Sequence, residues 1–444
     1  MPPLVRRVES AGLAHFSYLV GDQYQAVVID PRRDCDVYLQ LADERGMRIT
    51  HVLETHRNED YVSGSLELAA RTGAEVFRPA DEELDYRYGR PFADGQRLQV
   101  GRLSLQGLHT PGHTMGHLSY LLHDPQGVPW MVFTGDSLLA GAVGRTDLYG
   151  PQKLEHMTGL LYDSLVRRLL PLGDQMLVCP AHGAGSACGN SISERTWTTM
   201  GLERNHNPHL QHGSRAEFVE QVARSFGRPP YFRKMEEMNL GPPVLGGLPH
   251  PLPLTPSEFA ARAQRSQVLD VRMELSFGSA HVPGALSIWE TGLPRFAGWF
   301  LSYDRPILLV SETYDVSQSV RHLIRMGFDR VEGYLAGGML AWHTEGLDST
   351  RVQSARVHDL CRKLDAGEDI WILDVRSPEE VERTAIPIAH PIPLTGLRER
   401  RDEVPRDRPV YIFCGSGLRA MVGASLLQQA GWENLTVVLG GLAS

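Results

Sequence analysis

Histidine and carboxylate side chains stand at the ends of successive apolar segments in the first half of the chain. The segment ITHVLETH ends at His56 and is followed by Asp60, and HTPGHTMGHLSY contains His113. Further along, WMVFTGDS contains Asp136 and LVCPAHGAGS contains His182. Side chains that leave neighbouring strands at one edge of a sheet can converge, and imidazole with carboxylate is a common ligand set for a metal ion. The sequence therefore predicts a metal site.

These motifs follow one another in an order that resembles the metallo-β-lactamase superfamily. The first motif of that superfamily, T-H-x-H-x-D-H, reads THRNEDY at 55–61, so Asn58 and Tyr61 replace two of the usual histidines. Neutral amide and phenol groups are poor zinc ligands next to imidazole or carboxylate. The departure argues against a dinuclear zinc hydrolase.

Two histidines and one carboxylate remain, namely His56, His113 and Asp136. This set leaves three adjacent positions open and is typical of non-haem Fe(II) oxygenases. Within the superfamily the chain resembles the persulfide dioxygenases, which also have segments like TPGHT, FTGDSLL and GRTD. The resemblance implies one Fe(II) per chain on these three residues. His182 would bind the second metal in a dinuclear relative, and Asp60 is interpreted as orienting His56 or supporting the fold.

Arg145 lies in GRTD, shortly after Asp136. An arginine near the metal can hold a substrate carboxylate through two parallel hydrogen bonds. In the dioxygenases that the chain resembles, this arginine helps to bind the thiol carrier, often glutathione. A salt bridge to Asp147 is the alternative.

A second reactive motif, CGSGLRA, begins at Cys414 directly after the apolar run VYIF. A thiol at a strand-to-helix turn faces the helix N-terminus and a cradle of backbone N–H groups, which together with the charge of Arg419 favours the thiolate. The spacing C-x4-R resembles the active-site loop of the rhodaneses, which transfer sulfur, whereas phosphatases of related fold use C-x5-R. The predicted substrate-binding residues are those of the loop, Gly415, Ser416, Gly417 and Leu418.

The last two hundred residues repeat themselves. QVLDVR at 267–272 recurs as WILDVR at 371–376, and RPILLVS at 305–311 recurs as RPVYIFC at 408–414. Such ordered matches indicate a duplicated domain of about a hundred residues. Ser311 stands in the first copy where Cys414 stands in the second, and a serine hydroxyl cannot carry a persulfide. The first copy is therefore predicted to be an inactive rhodanese domain.

The elements that must position these residues follow from the strand and helix patterns. Early strands flank a helical segment, the strands of the middle follow without helices, and both repeats alternate apolar runs with helix-length stretches. The predicted fold class is α/β multidomain, an αββα metallo-β-lactamase fold followed by two α/β rhodanese-like domains. The predicted ranges are 1–240 for the dioxygenase domain, 241–256 for a Pro/Gly-rich linker, 257–350 for the inactive copy and 351–444 for the active copy.

Composition excludes other classes of protein. The net charge is −9, so the chain has no overall positive charge that would favour binding of nucleic acid. No apolar run is long enough for a membrane span. The five cysteines form no CxxC pair, which together with the lack of a signal peptide predicts a cytoplasmic protein with free thiols.

Cys188 is a candidate thiol for handling persulfide near the metal, and the alternative is a packed structural residue.

The predicted function combines both motifs. By the resemblance, Fe(II) binds a low-molecular-weight persulfide, RSSH, and O2 oxidises its terminal sulfur to sulfite. Cys414 then passes sulfur from a second persulfide to sulfite, giving thiosulfate in sulfide detoxification. The expected partners are the persulfide of glutathione, coenzyme A or a similar thiol, O2 and sulfite, and a homo-oligomer is expected. Two alternatives stay open: a zinc-dependent glyoxalase II-like thioester hydrolase fused to a sulfurtransferase, and a non-catalytic sulfur-carrier or docking protein.

Overall fold

The computed structural model describes residues 2–81, 84–186, 188–189, 191–195 and 197–441. It divides into two units, the first comprising Met1–Leu248 with Ile324–Gly327 and the second comprising Pro249–Leu323 with Phe328–Ser444. Within this described part of the chain, no helix is both long and apolar enough to cross a membrane.

Unit 1 contains two six-stranded sheets, a two-stranded hairpin and six α-helices in the residues described. Their bounds are β1 (Leu4–Ser10), β2 (His15–Asp22), β3 (Gln25–Ile29), α1 (Asp36–Asp43), β4 (Arg48–Leu53), α2 (Ser65–Thr72), β5 (Glu75–Pro79), β6 (Arg90–Phe92), β7 (Arg97–Val100), β8 (Leu103–His109), β9 (Leu118–His123), β10 (Pro129–Gly135), β11 (Leu138–Leu139), β12 (Ala142–Val143), α3 (Leu154–Ser164), β13 (Leu177–Pro180), β14 (Thr198–Thr199), α4 (Met200–His206), α5 (Arg215–Val222) and α6 (Phe232–Met238). One sheet has the order β1-β2-β3-β4-β5-β6 and the other β14-β13-β10-β9-β8-β7, while β11 and β12 form a separate hairpin.

The two sheets pack face to face because their strands alternate between two apolar faces. In β3, Val27 and Ile29 point into a core shared with Phe133 of the other sheet. Val28 points to the opposite face, where helices α1 and α2 cover it. On the outer face of the second sheet, Val132 packs with residues of α3 and α5. The predicted αββα arrangement is confirmed.

Unit 2 contains two parallel sheets of the same strand order. The first copy contains β15 (Leu252–Leu254), α7 (Pro256–Ala263), β16 (Gln267–Asp270), α8 (Glu274–Ser279), β17 (Leu286–Ser287), α9 (Leu293–Phe300), β18 (Ile307–Val310), α10 (Ser317–Arg325), β19 (Val331–Leu335) and α11 (Gly338–Thr344). The second contains β20 (Gln353–Arg356), α12 (Val357–Asp365), β21 (Trp371–Asp374), α13 (Pro378–Arg383), β22 (Ala389–Pro391), α14 (Leu397–Arg400), β23 (Val410–Phe413), α15 (Leu418–Gln429) and β24 (Leu435–Leu439). The orders β15-β19-β18-β16-β17 and β20-β24-β23-β21-β22 correspond strand for strand.

The predicted linker, 241–256, contains more structure than the sequence indicated. Leu252–Leu254 form β15, which pairs in parallel with β19. Directly after it, Thr255 and Glu258 make a reciprocal capping box at the start of α7, with Pro256 in the first turn. The expectation of a segment without elements is wrong for these residues, because proline is tolerated both in an edge strand and at the first position of a helix.

Candidate metal centre and sulfur-transfer loop

The predicted metal ligands leave the ends of strands in the two sheets of unit 1. His56 follows β4 in one sheet, while the other sheet provides His113 from the β8–β9 loop and Asp136 directly after β10. Gly144 lets its own segment approach Asp136 closely, since a Cβ there would lie 1.9 Å from the carbonyl oxygen of Asp136. The fold thereby brings together residues that are eighty positions apart in sequence.

The three side chains converge in a buried cluster. Oδ2 of Asp136 lies 3.8 Å from Nε2 of His56 and 3.6 Å from Nε2 of His113. All three residues are buried, and their candidate ligand atoms lie within 4.8 Å of one another. These spacings suit donors that share one cation, because bonds of about 2.1 Å at right angles place neighbouring ligand atoms about 3 Å apart.

Hydrogen bonds to the far side of each ring decide which nitrogen can bind a metal. Nδ1 of His113 lies 2.8 Å from the carbonyl oxygen of Arg145 and can only donate to it. The hydroxyl of Thr55 donates to Asp30, so that its oxygen is left to accept from Nδ1 of His56. Both rings therefore present an Nε2 lone pair to the centre, as metal-binding histidines do.

The residues fit a divalent metal ion. Nε2 of His56 and Nε2 of His113 are buried and have no hydrogen-bond partner among the described residues. Unpaired buried polar atoms are rare and costly, so a cation between them is the natural partner. Burial disfavours a charged ring, and with the neighbouring His113 it lowers the pKa of His56 well below its usual value. At His113 the charge of Glu59 outweighs burial and raises the pKa to about 9, so a metal has to displace a proton there.

His182 lies between two carboxylates. Its Nδ1 is 2.8 Å from Oδ1 of Asp136, and its Nε2 is 3.0 Å from Oδ2 of Asp60. Burial works against the charged ring, but Asp136 and Asp60 outweigh it and raise the pKa of His182 well above its usual value. Both ring nitrogens of His182 are therefore hydrogen-bonded to carboxylates. His182 orients Asp136, and Asp60 in turn fixes the ring of His182.

Replacing His182 with alanine should therefore weaken the centre without dismantling it. Asp136 would lose its hydrogen bonds to the ring but keep its place beside the other ligands. We expect metal affinity to fall by about tenfold to a hundredfold, as is usual when a metal ligand loses its hydrogen-bond partner. Metal titration of the variant measures this, with exposed His156 on α3 replaced by alanine as the control. Complete loss of metal in the His182 variant would make His182 a ligand instead.

Asn58 and Tyr61, which replace the usual histidines, are fixed through their backbone by Asn239. The side chain of Asn239 donates to the backbone oxygens of both Asn58 and Tyr61. The Tyr61 ring is fully buried with its centroid 4.1 Å from that of His15, and burial raises the pKa of its hydroxyl well above the usual value. A neutral phenol packed in this way is not a ligand for a second metal.

Glu59 is a residue of this site that sequence reasoning missed. Its carboxylate is buried, and Oε1 lies 3.3 Å from Nε2 of His113. Burial is opposed by the charge of His113, and the pKa of Glu59 is lowered to about 2. The signal was available, because an acidic residue occupies a variable position of the T-H-x-H-x-D-H motif. That position alone does not tell which way the side chain points.

Cys188 belongs to the same buried neighbourhood. Its sulfur lies within 4.8 Å of ligand atoms of Glu59 and Asp136, and also of Asp60 and His182. Burial raises the pKa of the thiol well above its usual value, and the three carboxylates add to this effect. The structure therefore holds Cys188 as a neutral thiol, and its handling of persulfide stays a prediction.

Arg145 makes the salt bridge that the sequence offered as the alternative. Its guanidinium contacts both oxygens of Asp147, at 2.6 and 2.8 Å, and also donates to the carbonyl oxygen of Gly227. Its backbone carbonyl accepts from His113, so the residue supports a metal ligand directly. Binding of a substrate carboxylate by Arg145 stays a prediction.

The loop that begins at Cys414 has the predicted strand-to-helix form. Cys414 directly follows β23, is fully buried, and its sulfur lies 3.0 Å from the backbone nitrogen of Gly417. Gly417 precedes α15 with φ of 107°, a conformation that side chains with a Cβ rarely adopt. Gly415, Ser416 and Leu418 complete the turn from strand to helix.

Arg419 is held by Glu380. Its two terminal nitrogens lie 2.5 and 2.7 Å from the two carboxylate oxygens, and this pairing outweighs burial and lowers the pKa of Glu380 to about 2. Glu380 is fixed in turn by the capping box it forms with Ser377 at the start of α13. Arg419 thus lines the loop within an ion pair and not as an isolated charge.

The strand register aligns the two copies. Asp270 pairs with Val310 in the first copy, and Asp374 pairs with Phe413 in the second. The next residues are Ser311 and Cys414, which therefore occupy the same place. The Ser311 hydroxyl accepts from the backbone nitrogen of Thr313, at 3.2 Å, in a loop without glycine.

Comparisons with known proteins agree with this division. Residues 11–182 match the metallo-β-lactamase superfamily, and residues 255–345 and 357–444 each match the rhodanese-like domain. The chain is 30% identical to the bovine mitochondrial persulfide dioxygenase ETHE1, over 47% of this chain and 76% of that protein. It is 28% identical to the hydroxyacylglutathione hydrolase GloC of Haemophilus influenzae, over 44% of this chain and 91% of that protein. The crystal structure of a metallo-β-lactamase from Staphylococcus aureus subsp. aureus COL covers 75% of this chain and 98% of its own, with 28% identity and a TM-score of 0.67.

Proposed function

Because the chain belongs to the metallo-β-lactamase superfamily and carries two rhodanese-like domains behind that domain, we propose that it is an Fe(II) persulfide dioxygenase coupled to sulfur transfer. The observation that carries the proposal is the ligand set His56, His113 and Asp136, with a second site whose usual ligands are replaced or hydrogen-bonded to each other. Two histidines and one carboxylate leave room for a substrate and O2 on the same iron.

The overall oxidation balances as RSSH + O2 + H2O giving RSH, sulfite and two protons. Iron would supply a site where the terminal sulfur and O2 meet. His56 and His113 hold their Nε2 lone pairs towards it through the hydrogen bonds on their other ring nitrogens. Asp136 is held by His182 and by the backbone contact of its N–H with His117, at 3.1 Å. The thiol carrier is proposed to be glutathione, coenzyme A or a similar thiol.

The second step moves sulfur through Cys414. Its thiolate attacks the outer sulfur of a persulfide, the S–S bond to the carrier breaks, and RSH leaves. Sulfite then attacks the outer sulfur of the Cys414 persulfide and departs as thiosulfate, which regenerates the thiolate. Backbone N–H groups such as that of Gly417 stabilise the sulfur anion in both states. The hydroxyl of Ser311 cannot form a persulfide, so the first rhodanese-like copy is proposed to be inactive.

A zinc-dependent thioester hydrolase is the second candidate. Its support is the similarity to hydroxyacylglutathione hydrolases, one of which is 31% identical over 43% of this chain and 68% of its own length. A hydrolase of this kind uses a metal-bound water as nucleophile. The presence of Asn58 and Tyr61 in place of two histidines argues against a zinc-dependent hydrolase.

The metal content separates the two candidates. We expect about one iron per chain after anaerobic purification, because His56, His113 and Asp136 are the ligand set that presents unpaired nitrogens. Elemental analysis measures the metal, and an O2 electrode with glutathione persulfide measures the reaction. Two equivalents of zinc, with thioester hydrolysis that survives iron chelation, would overturn the dioxygenase proposal in favour of the hydrolase.

A further inference from the structure

Glu59 is a buried carboxylate beside the metal ligands that the three-residue set does not use. Its side chain is 1% exposed, and neither of its carboxylate oxygens has a hydrogen-bond partner among the described residues. A buried, unpaired carboxylate costs several kcal/mol unless a cation or donor compensates it. The group that faces this carboxylate in the structure is the ring of His113, which is itself a candidate metal ligand, so Glu59 needs another positive partner when His113 binds a metal.

The position of Glu59 identifies that partner. Oε1 lies 3.3 Å from Nε2 of His113, which is closer than the 3.6 Å between the same nitrogen and Oδ2 of Asp136. A carboxylate oxygen of Glu59 also lies within 4.8 Å of a ligand atom of Asp136. Glu59 thus lies as close to His113 and Asp136 as those two candidate ligands lie to each other.

His113 cannot serve as the permanent partner of Glu59. Its Nδ1–H is committed to the carbonyl oxygen of Arg145, so its Nε2 carries the lone pair whenever it binds a metal. A ring nitrogen with a lone pair donates no hydrogen bond to a carboxylate. The guanidinium of Arg145 is hydrogen-bonded to Asp147 and Gly227. In the metal-bound protein, the metal is the cation left to compensate Glu59.

We propose that Glu59 is a fourth protein group of the metal centre, with its carboxylate facing the same cation as His56, His113 and Asp136. Two carboxylates and two neutral imidazoles balance the charge of a divalent ion. This inference rests on the proposed metal centre, but it does not depend on which reaction the centre performs.

The test is metal binding by Glu59→Gln, measured with Co(II) and Fe(II) under anaerobic conditions. We expect the affinity to fall by at least tenfold, with a smaller rise of Tm on adding metal. Without metal, the variant should be less stable than wild type, because glutamine removes the carboxylate that faces the buried ring of His113. Glu59→Asp, which keeps the charge on a shorter side chain, should bind metal with intermediate affinity.

Glu54 offers a matched control in the same segment. It is equally buried, but Ser63 and Tyr88 donate to its two oxygens at 2.5 and 2.6 Å. Glu54→Gln should lower Tm with and without metal by similar amounts and leave metal affinity unchanged. Wild-type affinity in a folded Glu59→Gln would overturn the inference. Failure of the wild type to bind any metal would instead overturn the proposed function, so the two failures are distinguishable.

Discussion

Replacing Asp136 with alanine is expected to abolish persulfide-dependent O2 uptake and to leave the protein without its metal. Asp136 is the carboxylate of the ligand set, and its Oδ2 lies within 4 Å of Nε2 of both His56 and His113. Without it, a divalent ion would keep two neutral imidazoles and at most the carboxylate of Glu59, which cannot balance its charge. We expect activity to fall by at least about a hundredfold. This exceeds the loss that is usual when a residue that only hydrogen-bonds to a metal ligand is removed.

The measurements are O2 uptake with glutathione persulfide and metal content of the same preparation. Asp22 provides a control, since it is also a buried aspartate, but its carboxylate pairs with Arg102 at 2.7 Å. Asp22→Ala should reduce stability and retain metal. If Asp136→Ala kept iron and O2 uptake, the ligand set would be chosen wrongly, and Glu59 would be the first carboxylate to examine in its place.

Replacing Cys414 with serine is expected to remove thiosulfate:cyanide sulfur transfer while O2 uptake largely remains. The serine hydroxyl is barely ionised at neutral pH and forms no persulfide, whereas the metal ligands all lie in unit 1 and need no thiol at 414. The product of persulfide oxidation should shift from thiosulfate towards sulfite. Because sulfite and persulfide also react without enzyme, the ratio is measured at early times.

Cys361 gives the matched control, being an exposed cysteine of the same domain. Cys361→Ser should transfer sulfur at the wild-type rate. Thiosulfate formation at the wild-type rate in Cys414→Ser would move the transfer step elsewhere, and Cys188→Ser would then be tested next. A collapse of O2 uptake in Cys414→Ser would show that the oxidation depends on the rhodanese-like domain.

The pattern of apolar residues and the repeated segments of the sequence were enough to predict the fold class and the duplicated domain. Strands with two apolar faces, such as β3 with Val27 and Val28, specify a sheet covered on both sides, and this pattern is readable without coordinates. The correspondence of Ser311 with Cys414 was likewise visible, because each follows an apolar strand in a repeated segment. The candidate metal ligands were predictable as residue types that follow strand ends, and their binding of a metal stays a prediction.

What each of these side chains contacts was decided by the tertiary structure. His182 meets Asp136 and Asp60 from positions 46 and 122 residues away, so its two hydrogen bonds cannot be read from spacing. The orientation of Glu59 towards His113 is decided in the same way, by strand ends of two different sheets. Sequence periodicity reports which residues share a face, whereas hydrogen bonds and ion pairs depend on tenths of an ångström between distant segments. The residue types of the candidate metal centre therefore follow from the sequence, whereas the position of Glu59 beside His113 follows only from the folded protein.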